Sequence, residues 1–288
     1  MPAASPSVAR LAPFLFVFLW STGFLGAKFG LPHAAPLAFL SVRYLLVLAL
    51  MTSLALVFRA PWPRDGGQWF HIGVAGLLVH GLYLGGVFVA IGMGLPAGIS
   101  SLVVGMQPLL TATIAGRLLG ERVVPRQWLG LALGFVGVAL VLSNKLGAGF
   151  SVDALWPALA ALLGITAGTL YQKKFCPHFD WRSGAVAQFL PTALVTGIIV
   201  LARDDCRVEW TGEFVFALGW LVLVLSVGAI SLLNWLIRHG SAVNVASLFY
   251  LTPPTTALLA WLLFGETLTG LALVGMIIAV WGVYLSRR

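Results

Sequence analysis

The stretch PLLTATIAGRLLGE runs from Pro108 to Glu121, and PPTTALLAWLLFGE runs from Pro253 to Glu266. Seven of the fourteen positions agree, at a constant offset of 145 in a chain of 288 residues. The offset holds beyond the quoted stretch. Gly130 falls on Gly275, Gly137 on Gly282 and Val138 on Val283. Backwards, Gly23 falls on Gly168, Leu25 on Leu170, Lys28 on Lys173 and Pro32-His33 on Pro177-His178. The chain reads as two homologous halves, residues 1–144 and 145–288.

The composition says what those halves are made for. The chain is 60% hydrophobic and only 9% charged, with a mean hydropathy of +0.99. Soluble domains carry roughly 25% charged residues, so most of this surface faces something other than water. Continuous apolar runs of about 20 residues suit helices across a hydrocarbon core of roughly 30 Å. Punctuation by Gly, Pro and charge divides the chain into ten spans. They cover residues 11–30, 36–58, 69–91, 97–119, 125–143, 154–172, 183–202, 213–236, 243–264 and 267–286. The expected fold is an all-α integral membrane protein of ten transmembrane helices, five per half. The first span is read as retained rather than as a cleaved leader, because only Arg10 precedes it and no A-x-A site follows.

The formal charge of +8 does not point to nucleic acid, because the basic residues are scattered singly through short loops. Twelve Lys and Arg fall on the side of the N-terminus and four on the other, with Arg43 inside a span. By the positive-inside rule both termini are expected in the cytoplasm. Five spans per half is odd, so the second half enters the membrane from the opposite side. Inverted repeats of this kind mark secondary transporters, whose two similar halves exchange access to a site between them. The alternative is that duplication only makes a stable bundle. Cys176 and Cys206 flank one span and lie on opposite faces, so no disulfide is expected, and no metal site or cofactor motif is present.

A resemblance follows from these residues. FLWSTGFLGAKFGL (residues 18–31), followed by Pro36 and Arg43, resembles the opening of the drug/metabolite transporter superfamily. The P…LLGE and P…LFGE endings are similar to its EamA-type repeats, and the likeness covers the whole chain. Within the superfamily the chain most resembles bacterial amino-acid and metabolite exporters, the aromatic amino-acid exporter among them. The resemblance implies a basket of ten helices, with spans 5 and 10 outside and a central cavity lined mainly by spans 1, 3, 4, 6, 8 and 9. It also implies a bacterial inner-membrane location. Thr22 and Gly23 follow Trp20-Ser21 where the family often carries Asn, which leaves substrate identity open.

No G-x-x-x-x-G-K-[ST] motif occurs, so ATP does not drive this chain alone. Paired acids, H-E-x-x-H and G-x-S-x-G are also missing, which argues against an intramembrane enzyme. None of the nine acids sits mid-span. Glu121 and Glu266 close spans 4 and 9, either as proton or gate residues or as contacts to a neighbouring loop or helix N-terminus. His80, in the middle of span 3, either relays a proton or forms a neutral hydrogen bond. Arg43 lies roughly 10 Å into span 2 at 1.5 Å per residue. It is expected either to pair with Glu266 as a gate or to meet a substrate carboxylate. Lys28 and Lys173 are read as snorkelling anchors.

Polar and aromatic residues at mid-depth make up the candidate substrate site: Trp20 and Ser21; His80 and Tyr83; Gln107; Thr169 and Tyr171; Asn234 and Trp235; Tyr250 and Thr252. Pro108 and Pro253 are expected to free helix carbonyls or permit bending. Six G-x-x-x-G spacings, from Gly26, Gly81, Gly94, Gly116, Gly130 and Gly164, are expected as packing and sliding surfaces. The expected function is export of neutral amino acids, aromatic ones included, and related metabolites by facilitative alternating access, for which a monomer suffices. Proton-coupled multidrug or metabolite export is the alternative.

Overall fold

The computed structural model describes residues 6–143, 151–265 and 268–287. Among them the chain is helical, with no strand beyond one antiparallel bridge between Ala34 and Val208. The helices are α1 (Pro6–Gly30), α2 (Pro36–Val57), α3 (Gly66–Gly76), α4 (Gly85–Gly92), α5 (Ala97–Val104), α6 (Gln107–Leu119) and α7 (Pro125–Leu142). They continue as α8 (Leu155–Phe175), α9 (Trp181–Ala202), α10 (Gly212–Trp220), α11 (Ile230–His239), α12 (Ala242–Ser247), α13 (Thr252–Phe264) and α14 (Gly270–Ser286). Wider π-helical turns, Leu77–Leu84 and Leu221–Ala229, join α3 to α4 and α10 to α11. Eight helical stretches among the described residues are long and apolar enough to cross a membrane. Two shorter apolar helices, Leu11–Gly23 and Gly270–Ser286, stand where the first and last expected spans fall.

The offset of 145 carries over from letters to backbone. Added to the bounds of α2 and α6, it gives the bounds of α9 and α13. The two π-helical segments match under it to within one residue. In both places the repeated stretch carries one helix, α6 and α13, up to the glycine that ends it. Pro108 and Pro253 stand where each long span is interrupted, at the start of a new helix rather than inside one. α5 stops at Val104, Gly105 and Met106 turn, and Pro108 sits in the first turn of α6, where a missing N–H leaves no bond unmade. Pro253 occupies the same place in α13, after the tight turn Leu248–Leu251. Both helices stop at a glycine in the left-handed region, Gly120 with φ 71° and Gly265 with φ 65°.

Helix packing follows the small residues. α7 lies against α14 so closely that a Cβ on Gly137 would stand 2.4 Å from the Ala279 nitrogen, and one on Gly282 2.3 Å from the Gly134 nitrogen. Gly130 faces Gly282 and Ser286, while Gly137 faces Gly275 and Ala279, so the two helices run antiparallel. In lipid, where apolar side chains gain little by leaving the tails, such backbone approach is a main source of association. α2 packs on α9, α1 on α13 and on the second π segment, and α8 on α6 and on the first. Of the six expected glycine surfaces, the pairs beginning at Gly26, Gly130 and Gly164 meet close neighbours. Gly94 and Gly120 instead take positive φ with open space around them, as turn residues.

Candidate functional site

A cavity with about 500 Å³ of unfilled space, part of it open to the outside, lies between α1, α2, α4, both π segments and α11. Trp20 and Tyr83 form one wall, with parallel rings 6.3 Å apart. Phe16 and Phe249 hold the indole from behind, at 5.2 and 5.3 Å between centroids. Leu84, Phe88, Leu221 and Leu225 complete an apolar surround. Pockets of this make-up take amphiphilic small molecules, with a few polar groups fixing their orientation.

Arg43 supplies the charge in this wall. It is 1% exposed, and its Nε and Nη2 both donate to Ser226 Oγ, at 3.2 and 3.1 Å. Ser226 in turn donates to the Leu221 carbonyl at 3.1 Å, an acceptor within the π segment. Nη1 has no partner among the described residues. Glu266, the acid expected opposite Arg43, lies outside the described residues, as do the side-chain contacts of Lys28.

Behind this wall sits a buried polar chain. Gln188 Nε2 donates to Gln172 Oε1 at 3.0 Å, and Gln172 Nε2 donates to Asn234 Oδ1 at 3.0 Å. His80 is buried and stacks on Phe189 with centroids 4.1 Å apart; among the described residues neither ring nitrogen makes a hydrogen bond of normal geometry, although the Gln188 side chain lies beside it. The His80 carbonyl accepts the Tyr44 hydroxyl at 2.6 Å. Asn234 and His80 stand out in the sequence as candidates, whereas Ser226, Gln172 and Gln188 do not. Polar residues inside apolar runs were the available signal.

A smaller pocket, about 210 Å³, lies between Gln107, Thr169, Lys173 and α12. Gln107 Nε2 donates to Thr169 Oγ1 at 3.4 Å. Glu121 accepts the backbone N–H groups of Ala242 and Val243 at 2.8 and 3.4 Å, so its carboxylate caps the N-terminus of α12. Lys173 does not snorkel outward. Its ammonium donates to the carbonyls of Ile237 and Gly240 at the end of α11 and stands 3.9 Å from Glu121. On the other side of the molecule, Ser21 Oγ donates to the Thr252 carbonyl at 3.3 Å, and Thr256 Oγ1 returns a bond to the Ser21 carbonyl at 3.3 Å.

Of the candidate residues, Trp20, Tyr83 and Arg43 share the larger cavity, and Gln107 and Thr169 share the smaller one. Three aromatics are turned elsewhere. The Tyr171 hydroxyl bonds His71 Nδ1 at 2.7 Å, Trp235 stacks on His239 at 4.5 Å, and Tyr250 packs its ring against Gly134 of α7. Outside the spans, Asp180 caps α9 and binds the Arg182 guanidinium. Burial alone would raise its pKa, but the bonds to Arg182 outweigh this and hold the carboxyl below its usual range.

The EamA-like transporter family model matches the chain twice, over residues 9–143 and 154–288. A probable amino-acid metabolite efflux pump of Salmonella typhimurium is 26% identical, over 94% of this chain and 92% of its own. An uncharacterized transporter of Bacillus subtilis is 30% identical, over 96% of this chain and 90% of its own. A solved crystal structure shares the fold at a TM-score of 0.80 and 22% identity, covering 98% of this chain and 97% of its own. Apolar helices, a walled cavity between them and a family match in each half converge on one statement: this chain is a multi-pass membrane transporter belonging to the EamA-like family of the drug/metabolite transporter superfamily.

Proposed function

We propose that the chain exports neutral amino acids, aromatic ones included, and related metabolites across the bacterial inner membrane by facilitative alternating access. The moving parts are two inverted units, residues 1–144 and 145–288, forming a ten-helix basket with both termini in the cytoplasm. Two family matches of similar length support the units, as does the antiparallel glycine seam between α7 and α14. The packing of α1 on α13 has its image, under the offset, in the packing of α8 on α6. The relatives named as amino-acid metabolite efflux pumps support the substrate class, and the excess of Lys and Arg supports the orientation.

The carrying observation is the cavity itself: stacked Trp20 and Tyr83 beside Arg43, with walls drawn from both units and no acid among the described lining residues. A cationic drug would enter this low-dielectric space without a counter-charge. The test is counterflow of radiolabelled amino acids into proteoliposomes of purified protein, with and without an imposed pH gradient. Saturable counterflow indifferent to the gradient is the expected result. Flux that requires the gradient would favour proton-coupled export instead, the reading that the buried His80 ring motivates. Flux of apolar drugs with none of amino acids would overturn the substrate class.

A further inference from the structure

Arg43 is poorly served by the protein around it. It is almost wholly buried and bonded only to a neutral hydroxyl, and Nη1 is left without a partner. No ion pair to it exists among the described residues, and guanidinium stays charged at any working pH. A buried charge without a counter-charge is strongly unfavourable, and within membrane spans such residues mark ligand paths. Ser226 holds the Nε–Nη2 edge of the guanidinium, and the enclosed Nη1 beside it keeps unused N–H donors of the kind that pair with a carboxylate.

We propose that Arg43 is the carboxylate-binding group of the cavity, and that its ligands are monocarboxylates with an apolar or aromatic body, their α-ammonium group being dispensable. The inference rests on the cavity being the transport site and deepens the proposed substrate class. The body lies against Trp20 and Tyr83, next to the wall that Arg43 shares. Among the described lining residues an ammonium group finds no carboxylate, only neutral groups and the like-charged Arg43. The cavity therefore discriminates by the negative end of its ligand. Des-amino and 2-oxo counterparts of the amino acids belong to the same class as the amino acids themselves.

The experiment uses the full-length protein and three ligands on one skeleton: phenylalanine, 3-phenylpropionate without the ammonium, and phenylalaninamide without the carboxylate. Binding is read by thermal stabilisation of the purified protein and by competition against the labelled amino acid in counterflow. The expected order puts 3-phenylpropionate level with or above phenylalanine, and phenylalaninamide weaker by about tenfold or more. Arg43→Gln should erase the gap between acid and amide, and Arg43→Lys should keep part of it. An amide that binds wild-type protein as well as the acid overturns the proposal, whatever the variants do. So does an Arg43→Gln protein of unchanged melting behaviour that keeps the acid-to-amide ratio. A purely structural Arg43–Ser226 clamp would alter stability without moving that ratio. Stabilisation by 3-phenylpropionate without amino-acid flux would leave the carboxylate site standing and sink the amino-acid reading. Absence of binding by all three ligands would end both.

Discussion

Trp20 is held on three sides by other rings, and its fourth side is the cavity. Aromatic contacts of this kind contribute roughly 0.5–1.5 kcal/mol beyond the area they bury. Trp20→Ala should therefore weaken aromatic ligands about threefold to tenfold and aliphatic ones less, while Trp20→Phe should restore most of the difference. Half-saturation constants for phenylalanine and leucine in counterflow measure this, and an equal loss for both would assign Trp20 to packing alone. Side-chain direction is where the sequence was least informative. Tyr83 and Tyr250 sit at comparable depth in apolar runs. Yet one stacks over the cavity while the other fills the gap left by Gly134, because helix rotation, not position along the helix, decides which way a ring points. Gln172 and Gln188 were equally hidden, since their value lies in a bond between helices that no local pattern encodes.

At the scale of the element, the glycine seam is the most demanding feature. A side chain on Gly282 would begin 2.3 Å from the backbone of α7, and backbone cannot swing aside as a side chain can. Gly282→Leu should destabilise the protein by about 3 kcal/mol or more. Gly197→Leu, with nothing within 4 Å of its new Cβ, should be close to neutral. Loss of monodisperse protein on heating in detergent checks the pair, and similar tolerance of both would show that α7 and α14 are not locked. The glycines were legible beforehand, because Gly130, Gly137, Gly275 and Gly282 obey the offset; that α7 and α14 meet through them was not. The π-helical turns were not, because one extra residue per turn leaves composition untouched. Such a turn frees backbone carbonyls, and the Tyr44 and Ser226 hydroxyls occupy two of them, at His80 and Leu221. Each bond ties a π segment into the surrounding core and helps to fix the shape of the cavity wall.

For the molecule as a whole, the two cysteines offer a test of orientation that needs no engineering. Cys206 is exposed beyond the end of α9, whereas Cys176 is buried, and burial pushes its thiol up to about 12. Near neutral pH Cys176 stays protonated and unreactive. A membrane-impermeant maleimide applied to intact cells after opening the outer membrane should modify Cys206 alone. Labelling only after the inner membrane is broken would reverse the topology proposed from the charge count. The apolar run lengths and the 145-residue repeat made most of the helix pattern legible, because lipid forces long apolar helices and the repeat writes the pattern twice. The cavity was only half legible: its aromatic residues stood out, while the partners that orient Arg43 and His80 come from helices distant in sequence.

The seam between α7 and α14 also bears on how the protein is made. α7 is made well before α14, and the face that must meet glycine backbone has no mate until α14 leaves the ribosome. For the length of the second half, that groove lies open to lipid or to whatever insertion factor shields it. The α7–α14 contact therefore closes after the helices between them are made, and until then the glycine face of α7 is an exposed backbone surface.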